Sequence, residues 1–284
     1  MKKFEITANK NGKLLTILPA EVEEISFASA SKALRKKDIK VNGNRVSENL
    51  LVFAGDNIEI YLPDEASKPI AHYEVVYEDE NIMVVNKKKG IEVCDGENSL
   101  QDRISSEKQM SISACHRIDR NTEGLVIFSK NQMANMEITN AFKTGVGLKK
   151  FYLAEVVGVV PKDMILKGFL VKNEEESNVK IFNSPVQGAL KIVTKVKVLK
   201  KTANTSVLEI ELTNGKTHQI RAHLAYAGYP LIGDGKYGKN EDNKKFKTKT
   251  QLLCAHKIVF EFEPSSPLAY LNEVSLEISP SWIK

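Results

Sequence analysis

The stretch His116-Arg117-Ile118-Asp119-Arg120-Asn121-Thr122-Glu123-Gly124-Leu125-Val126-Ile127-Phe128-Ser129 passes from a charged segment into an unbroken apolar run. A short apolar run bounded by punctuating residues reads as a buried strand, and polar residues at its mouth are candidates for a site. An aspartate has an ordinary pKa of about 3.9 and is ionised at neutral pH without help. Asp119 can therefore attack an electrophilic carbon with no neighbouring base, which a serine or cysteine would need. Taken alone, a single aspartate here is more commonly a turn residue.

Working outward, residues 82–86, 125–129, 152–160, 191–199, 206–212 and 252–262 have strand character, with glycine or polar punctuation between them. The pattern predicts helices over 131–143 and 217–227; the second has Ile220 and Leu224 four apart, Gly228 to stop it and Pro230 beyond. Helices do not alternate regularly with strands, which argues against a doubly wound parallel sheet. The expectation is an α+β domain over 73–284, built on a mostly antiparallel mixed sheet with flanking helices.

Residues 1–62 read as a separate small α/β unit ending in the alternating strand Asn57-Ile58-Glu59-Ile60-Tyr61-Leu62. Residues 63–72, polar with prolines at 63 and 69, read as a linker. Inside the small unit, 31–37 looks like a short basic helix, and Ile39-Lys40-Val41 and Arg45-Val46 flank the turn Asn42-Gly43-Asn44.

The chain has 284 residues, 42% of them hydrophobic, which suffices for a sizeable core. No apolar run approaches membrane-spanning length and the basic start lacks a signal-like stretch, so a cytoplasmic location is expected. Cys94, Cys115 and Cys254 are far apart and lack metal or redox spacing. The net charge of +5 is modest, but it is unevenly spread. Lys32, Arg35, Lys36, Lys37, Lys40 and Arg45 face only Asp38 between Ser31 and Val46; six lysines between Lys236 and Lys249 face Glu241 and Asp242; Lys143, Lys149 and Lys150 form a third group. Such clusters suit phosphate, although one charge run alone is usually a solvated face.

Three ordered motifs carry a resemblance. His116-Arg117-Ile118-Asp119-x-x-Thr122-x-Gly124, then Lys150-Phe151-Tyr152-Leu153-Ala154, then Gly215-Lys216-Thr217-His218-Gln219-Ile220-Arg221-Ala222-His223-Leu224 with Gly228-Tyr229-Pro230-Leu231-Ile232-Gly233-Asp234, resemble the large-subunit-ribosomal-RNA (RluA-type) pseudouridine synthases. The segment Lys32 to Gly43, with Val46 and Gly55-Asp56, resembles the alpha-L RNA-binding motif of the ribosomal S-four protein. The resemblance implies isomerisation of uridine to pseudouridine in RNA, with Asp119 as nucleophile, Tyr152 stacked on the uracil and a candidate for proton transfer, and Arg221 paired with Asp119. It implies a flipped-out target base with Arg117 filling the vacated stack. The reaction needs neither metal nor redox cofactor. Candidate RNA contacts are Arg117, Lys32, Arg35, Lys36, Lys37, Lys40, Arg45, Lys150 and His218. Large-subunit ribosomal RNA is the favoured partner, transfer RNA the alternative, and a monomer the default.

The sequence departs from the family where serine is usual and Glu123 stands, and around Asn86-Lys87-Lys88-Lys89-Gly90, where a proline usually follows the lysine. Glu123 is expected to put a second carboxylate near Asp119, which raises a hydrolase with an acid and a base as a competing class. A non-catalytic RNA-binding or ribosome-assembly protein is another. Gly233-Asp234-Gly235-Lys236-Tyr237-Gly238 matches G-x-G-x-x-G formally, but 240–249 reads as a charged loop rather than the helix a dinucleotide site needs.

Overall fold

The computed structural model describes residues 1–22, 24–63, 72–95, 98–173, 177–213 and 215–283; positions 64–71 of the expected linker lie outside them. The chain divides into two compact units, Met1–Ala71 and His72–Lys284.

The first unit comprises β1 (Lys2–Thr7), β2 (Gly12–Lys13), α1 (Leu14–Glu21), α2 (Phe27–Arg35), β3 (Ile39–Val41), β4 (Asn44–Val46), β5 (Leu51–Val52) and β6 (Asn57–Leu62). Four strands form an antiparallel sheet in the order β1-β6-β3-β4, with β2 and β5 paired apart. Leu14, Ile17 and Leu18 of α1 and Ala30 and Leu34 of α2 bury against Ile39, Ile58 and Ile60. The β3–β4 turn needs positive φ at both central residues, and Asn42 (49°) and Gly43 (81°) supply it. The basic helix starts earlier than the lysines suggest, because the Ser26 side chain caps it by accepting from Ser29 N at 2.9 Å. It ends at Arg35, with Lys37 in the left-handed region.

The second unit adds β7 (Tyr73–Glu78), β8 (Ile82–Lys87), α3 (Leu100–Lys108), β9 (Ser113–Ala114), β10 (Glu123–Ser129), α4 (Gln132–Thr144), β11 (Leu148–Val157), β12 (Met164–Asn173), β13 (Asn178–Phe182), β14 (Leu190–Lys201), β15 (Thr205–Leu212), α5 (Gln219–Tyr226), α6 (Asn240–Lys245), β16 (Leu253–Phe260) and β17 (Leu276–Glu277). The sheet runs β13-β12-β14-β15-β11-β16-β10-β8-β7, with β17 on β16 and β9 on β10. Its described pairings are antiparallel except β10 with β16. This is the expected mixed, mostly antiparallel α+β architecture.

β10 is apolar without alternation because both its faces are covered. Leu125 and Ile127 pack with Ala134, Ile138 and Ala141 of α4, while Val126 and Phe128 pack with Leu100 and Ile104 of α3. Burial of each such large side chain stabilises by about 1.5–3 kcal/mol relative to exposure. α4 is capped at one end by Asn131, which accepts from Ala134 N, and at the other by Gly145 at φ 76°. On the other half of the sheet, Ile220 and Leu224 of α5 bury against Val196, Leu208 and Ile210. α6 corrects the expected loop at 240–249, since a helix does follow the glycine-rich turn. That turn still offers no phosphate cradle: Gly233 N donates to Asn243 Oδ1, Gly238 N to Asp234 O, and Lys236 N and Tyr237 N to Asp234 Oδ1.

Candidate active site

Asp119 sits in the loop that feeds β10, and several anchors fix that loop. Thr122 N donates to Asp119 O at 2.9 Å, closing the turn, while the buried Thr122 hydroxyl accepts from Gln251 Nε2. Lys87 is fully buried at the end of β8 and donates to the carbonyls of Lys88, Ile91 and Arg120 at 2.9–3.0 Å. Three carbonyls match the three N–H groups of an ammonium. Burial pushes its pKa down to about 7, opposed by the charges of Asp119 and Glu123. The loop then enters the sheet at Gly124 (φ 124°), where a Cβ would lie 2.4–2.8 Å from backbone atoms of Ala255. Only glycine fits that approach. His116, ahead of the loop, accepts from Ile127 N and stacks on Phe142 at 3.9 Å; burial pushes its pKa down to about 3, so it is a neutral packing residue.

Arg221 comes from α5, and its three nitrogens are all used. Nη1 donates to Asp119 Oδ2 at 2.7 Å, Nε to Asp234 Oδ2 at 2.7 Å and Nη2 to Asp234 Oδ1 at 2.9 Å. The two-bonded fork on Asp234 fixes the guanidinium plane, so the remaining arm points at Asp119. Asp234 is 0% exposed, whereas the Asp119 side chain is 26% exposed. Burial alone would raise the Asp234 pKa, but Arg221 and two backbone amides outweigh it and hold the carboxyl below its ordinary range. Burial would likewise lower Arg221, and the two carboxylates, Asp234 foremost, raise it instead. The guanidinium carbon lies 5.3 Å from the Tyr237 ring centroid.

α5 is held on β14 by a buried polar set. Gln219 Nε2 donates to Val193 O and to Thr194 Oγ1, and His223 Nδ1 lies 3.0 Å from Thr194 Oγ1. His218 precedes α5 in a left-handed conformation (φ 51°). Its Nδ1 is 2.9 Å from the Tyr237 hydroxyl and its Nε2 is 3.8 Å from Asp119 Oδ2. Tyr152, on β11, faces the same side of the sheet as α5. Its ring packs between the two apolar clusters there, and burial, with the Asp119 charge, pushes its phenol well above the ordinary range.

These groups line one cleft of about 230 Å³, bounded by Arg117, Asp119, Thr122, Tyr152, Lys216, His218 and Arg221 among others. An adjoining opening shares Arg117, Asp119, His218 and Arg221 and adds Lys236. Arg117 is exposed at the rim and paired with Asp95. Among the described residues no group of three or more His, Cys, Asp or Glu is placed to hold a metal, and no helix is long and apolar enough to cross a membrane.

Two expectations need correction. Glu123 does not face Asp119 across the cleft. It is buried and accepts from Ser281 N and Oγ at 3.3 and 3.0 Å, with Lys89 Nζ 4.0 Å away. The two carboxylates that a hydrolase would set on either side of a substrate are therefore not formed by this pair. Lys150 is not a surface phosphate contact: it is 5% exposed, its ammonium 4.8 Å from the Phe142 ring centroid, and burial with Lys216 nearby pushes its pKa down to about 8. In the first unit Lys32, Arg35, Lys36, Lys37 and Arg45 are exposed, whereas Lys40 is tied to Glu59 at 3.5 Å. Sequence reasoning missed Asp234 and Lys87. An acid inside a glycine-rich turn reads as a turn residue, and a lysine ending an apolar strand reads as its solvated tip.

Comparison with known proteins adds four findings. The family model described as RNA pseudouridylate synthase matches residues 81–226. An RNA pseudouridine synthase of Mycoplasma capricolum subsp. capricolum, designated uncharacterized, is 32% identical over 100% of this chain and 99% of its own. Ribosomal large subunit pseudouridine synthase C of Rickettsia bellii is 30% identical over 87% of each chain. Among solved structures, human RNA pseudouridylate synthase domain containing 1 shares the fold with a TM-score of 0.59 at 21% identity, covering 76% of this chain and 94% of that one.

Proposed function

The chain belongs to the RNA pseudouridylate synthase family, in its RluA-type branch, and from that premise we propose that this RNA-modifying isomerase acts on large-subunit ribosomal RNA with Asp119 as its nucleophile. The observation that carries the reading is the Asp119–Arg221–Asp234 array, which presents one oriented carboxylate to a cleft walled by Tyr152. An arginine that donates to one carboxylate oxygen fixes the direction of the other. Asp119 attacks the sugar as the N1–C1′ bond breaks, and the Tyr152 ring holds the detached uracil by its face. The uracil turns, C5 bonds to C1′ and the bond from Asp119 to C1′ breaks, which regenerates the carboxylate. A base inside a stack cannot reach the cleft, so the uridine is flipped out at a cost of a few kcal/mol, offset by backbone contacts, with Arg117 taking its place.

The ribosomal target is supported by the name of the Rickettsia bellii relative and by the alpha-L-like pattern of the first unit. The deciding measurement is tritium release from RNA labelled at uridine C5. Release from unmodified large-subunit ribosomal RNA and none from transfer RNA is expected; release from transfer RNA alone would overturn the assignment of substrate.

The first unit is assigned to RNA-backbone binding through Lys32, Arg35, Lys36, Lys37 and Arg45. Replacing Arg35, Lys36 and Arg45 together by Ala should weaken binding to all RNA sequences alike. The slope of log affinity against log salt should shrink by roughly 0.7–0.9 for each phosphate that is no longer neutralised. A salt titration of binding checks this; an unchanged slope would remove these residues from the interface.

A further inference from the structure

We propose that His218 is a catalytic residue, the base that takes the proton from uracil C5. When C5 bonds to C1′, that carbon carries both its hydrogen and the sugar. The proton must then leave to His218 Nε2, the C5–H pair restores the C5=C6 bond, the C6=N1 pair returns to N1, and N1 takes a proton from solvent. Atoms and electrons balance with no further reactant.

The base has to lie beside the nucleophile, because C5 ends up bonded to the carbon next to which Asp119 works. His218 Nε2 is 3.8 Å from Asp119 Oδ2, beyond hydrogen-bond range and within the same cleft. Two neighbouring groups are otherwise engaged. Asp119 Oδ2 is committed to Arg221, and the Tyr152 phenol is held protonated by burial and the Asp119 charge. The second imidazole nitrogen is anchored: His218 Nδ1 lies 2.9 Å from the Tyr237 hydroxyl, which itself accepts from Val179 N at 2.9 Å. The base form is the tautomer with its proton on Nδ1, donated to that hydroxyl, which leaves the Nε2 lone pair facing the cleft. Burial pushes the pKa of the ring down, with Arg221 and Lys236 acting in the same direction and Asp119 and Asp234 opposing. Those two carboxylates then stabilise the imidazolium once it forms.

The test uses His218→Gly, since glycine suits the positive φ at this position. It is assayed on RNA that the wild type converts, made with uridine or C5-deuterated uridine. Expected is a fall in kcat of about 100-fold or more with KM little changed. A primary isotope effect larger than in wild type should appear, and added imidazole should restore turnover. A raised KM with unchanged kcat would make His218 an RNA contact and overturn the proposal, as would a kcat loss without an isotope effect. His218→Asn, which also tolerates this backbone, guards against misfolding: a folded Asn variant with wild-type kcat overturns it too. The inference rests on the reading of Asp119 as nucleophile. Asp119→Asn in the same assay tests that reading separately, because its residual activity does not depend on how the His218 variants behave.

Discussion

Asp119→Asn is expected to abolish turnover while leaving fold and RNA affinity intact. The amide has the volume of the carboxylate and its oxygen can still accept from Arg221 Nη1, so the cleft keeps its shape. The buried guanidinium retains its two-bonded partner Asp234 and is not left uncompensated. What disappears is the ionised oxygen that forms a bond to the sugar. Removal of a covalent nucleophile costs up to the order of 10⁶-fold in kcat. Affinity should stay level or rise, because the substrate is a polyanion and one negative charge has left its path. Single-turnover pseudouridine formation beside equilibrium RNA binding tests this; activity within tenfold of wild type would remove Asp119 from the nucleophile's role.

The second large effect is expected at Asp234, which touches no substrate and acts through Arg221. Asp234→Ala leaves a buried guanidinium with half of its partners, and breaking a buried pair in this way costs about 3–5 kcal/mol. For a unit of this size that is a fall in Tm of roughly 6–20 °C. Activity should fall as well, in kcat rather than KM, because the arm that orients Asp119 is no longer braced. The pH dependence has a definite sign. The folded Asp234 carboxyl lies below its ordinary range, so its contribution is complete above the unfolded carboxylate pKa and is lost as pH falls through the lower folded value. Thermal melts from neutral to acid pH should therefore show wild type and Asp234→Ala converging in acid. A constant gap would place the stabilisation elsewhere.

The parts legible in the sequence are those whose local signals agree with their tertiary role. The 39–46 hairpin has its Asn-Gly turn, the 57–62 strand has its alternation, and the helix after Asn131 has a cap at each end. The arginine–aspartate pairing is implied by the resemblance, and the two atoms lie 2.7 Å apart. Other elements are hidden for physical reasons. β12 carries Gly168 at mid-strand, which reads as a break; in the fold its missing Cβ makes room for Ile181 and the His223 ring. α3 buries only Leu100 and Ile104, so its polar surface conceals a helix that depends on the Ser99–Asp102 capping box. α1 has Pro19 within it and apolar residues on several sides, and presents no clean stripe. Asp234 and Lys87 escape because a buried charge is recognisable only by its partners, and these partners are backbone groups or residues distant in sequence.

The parallel pairing of β10 with β16 also has a bearing on how the protein acquires activity. It aligns Glu123 with Cys254 and Gly124 with Ala255, and the Asp119–Arg221 contact spans 102 residues of chain. Neither can form from neighbours in sequence; each waits for a long loop to close, the slow kind of event in folding. The loop bearing the carboxylate is pinned against β16 at Gly124, so chemistry belongs to the late stage of folding, when the distant strand has arrived. A chain caught earlier, with its hairpins formed but its sheet still open, holds every catalytic side chain and is silent.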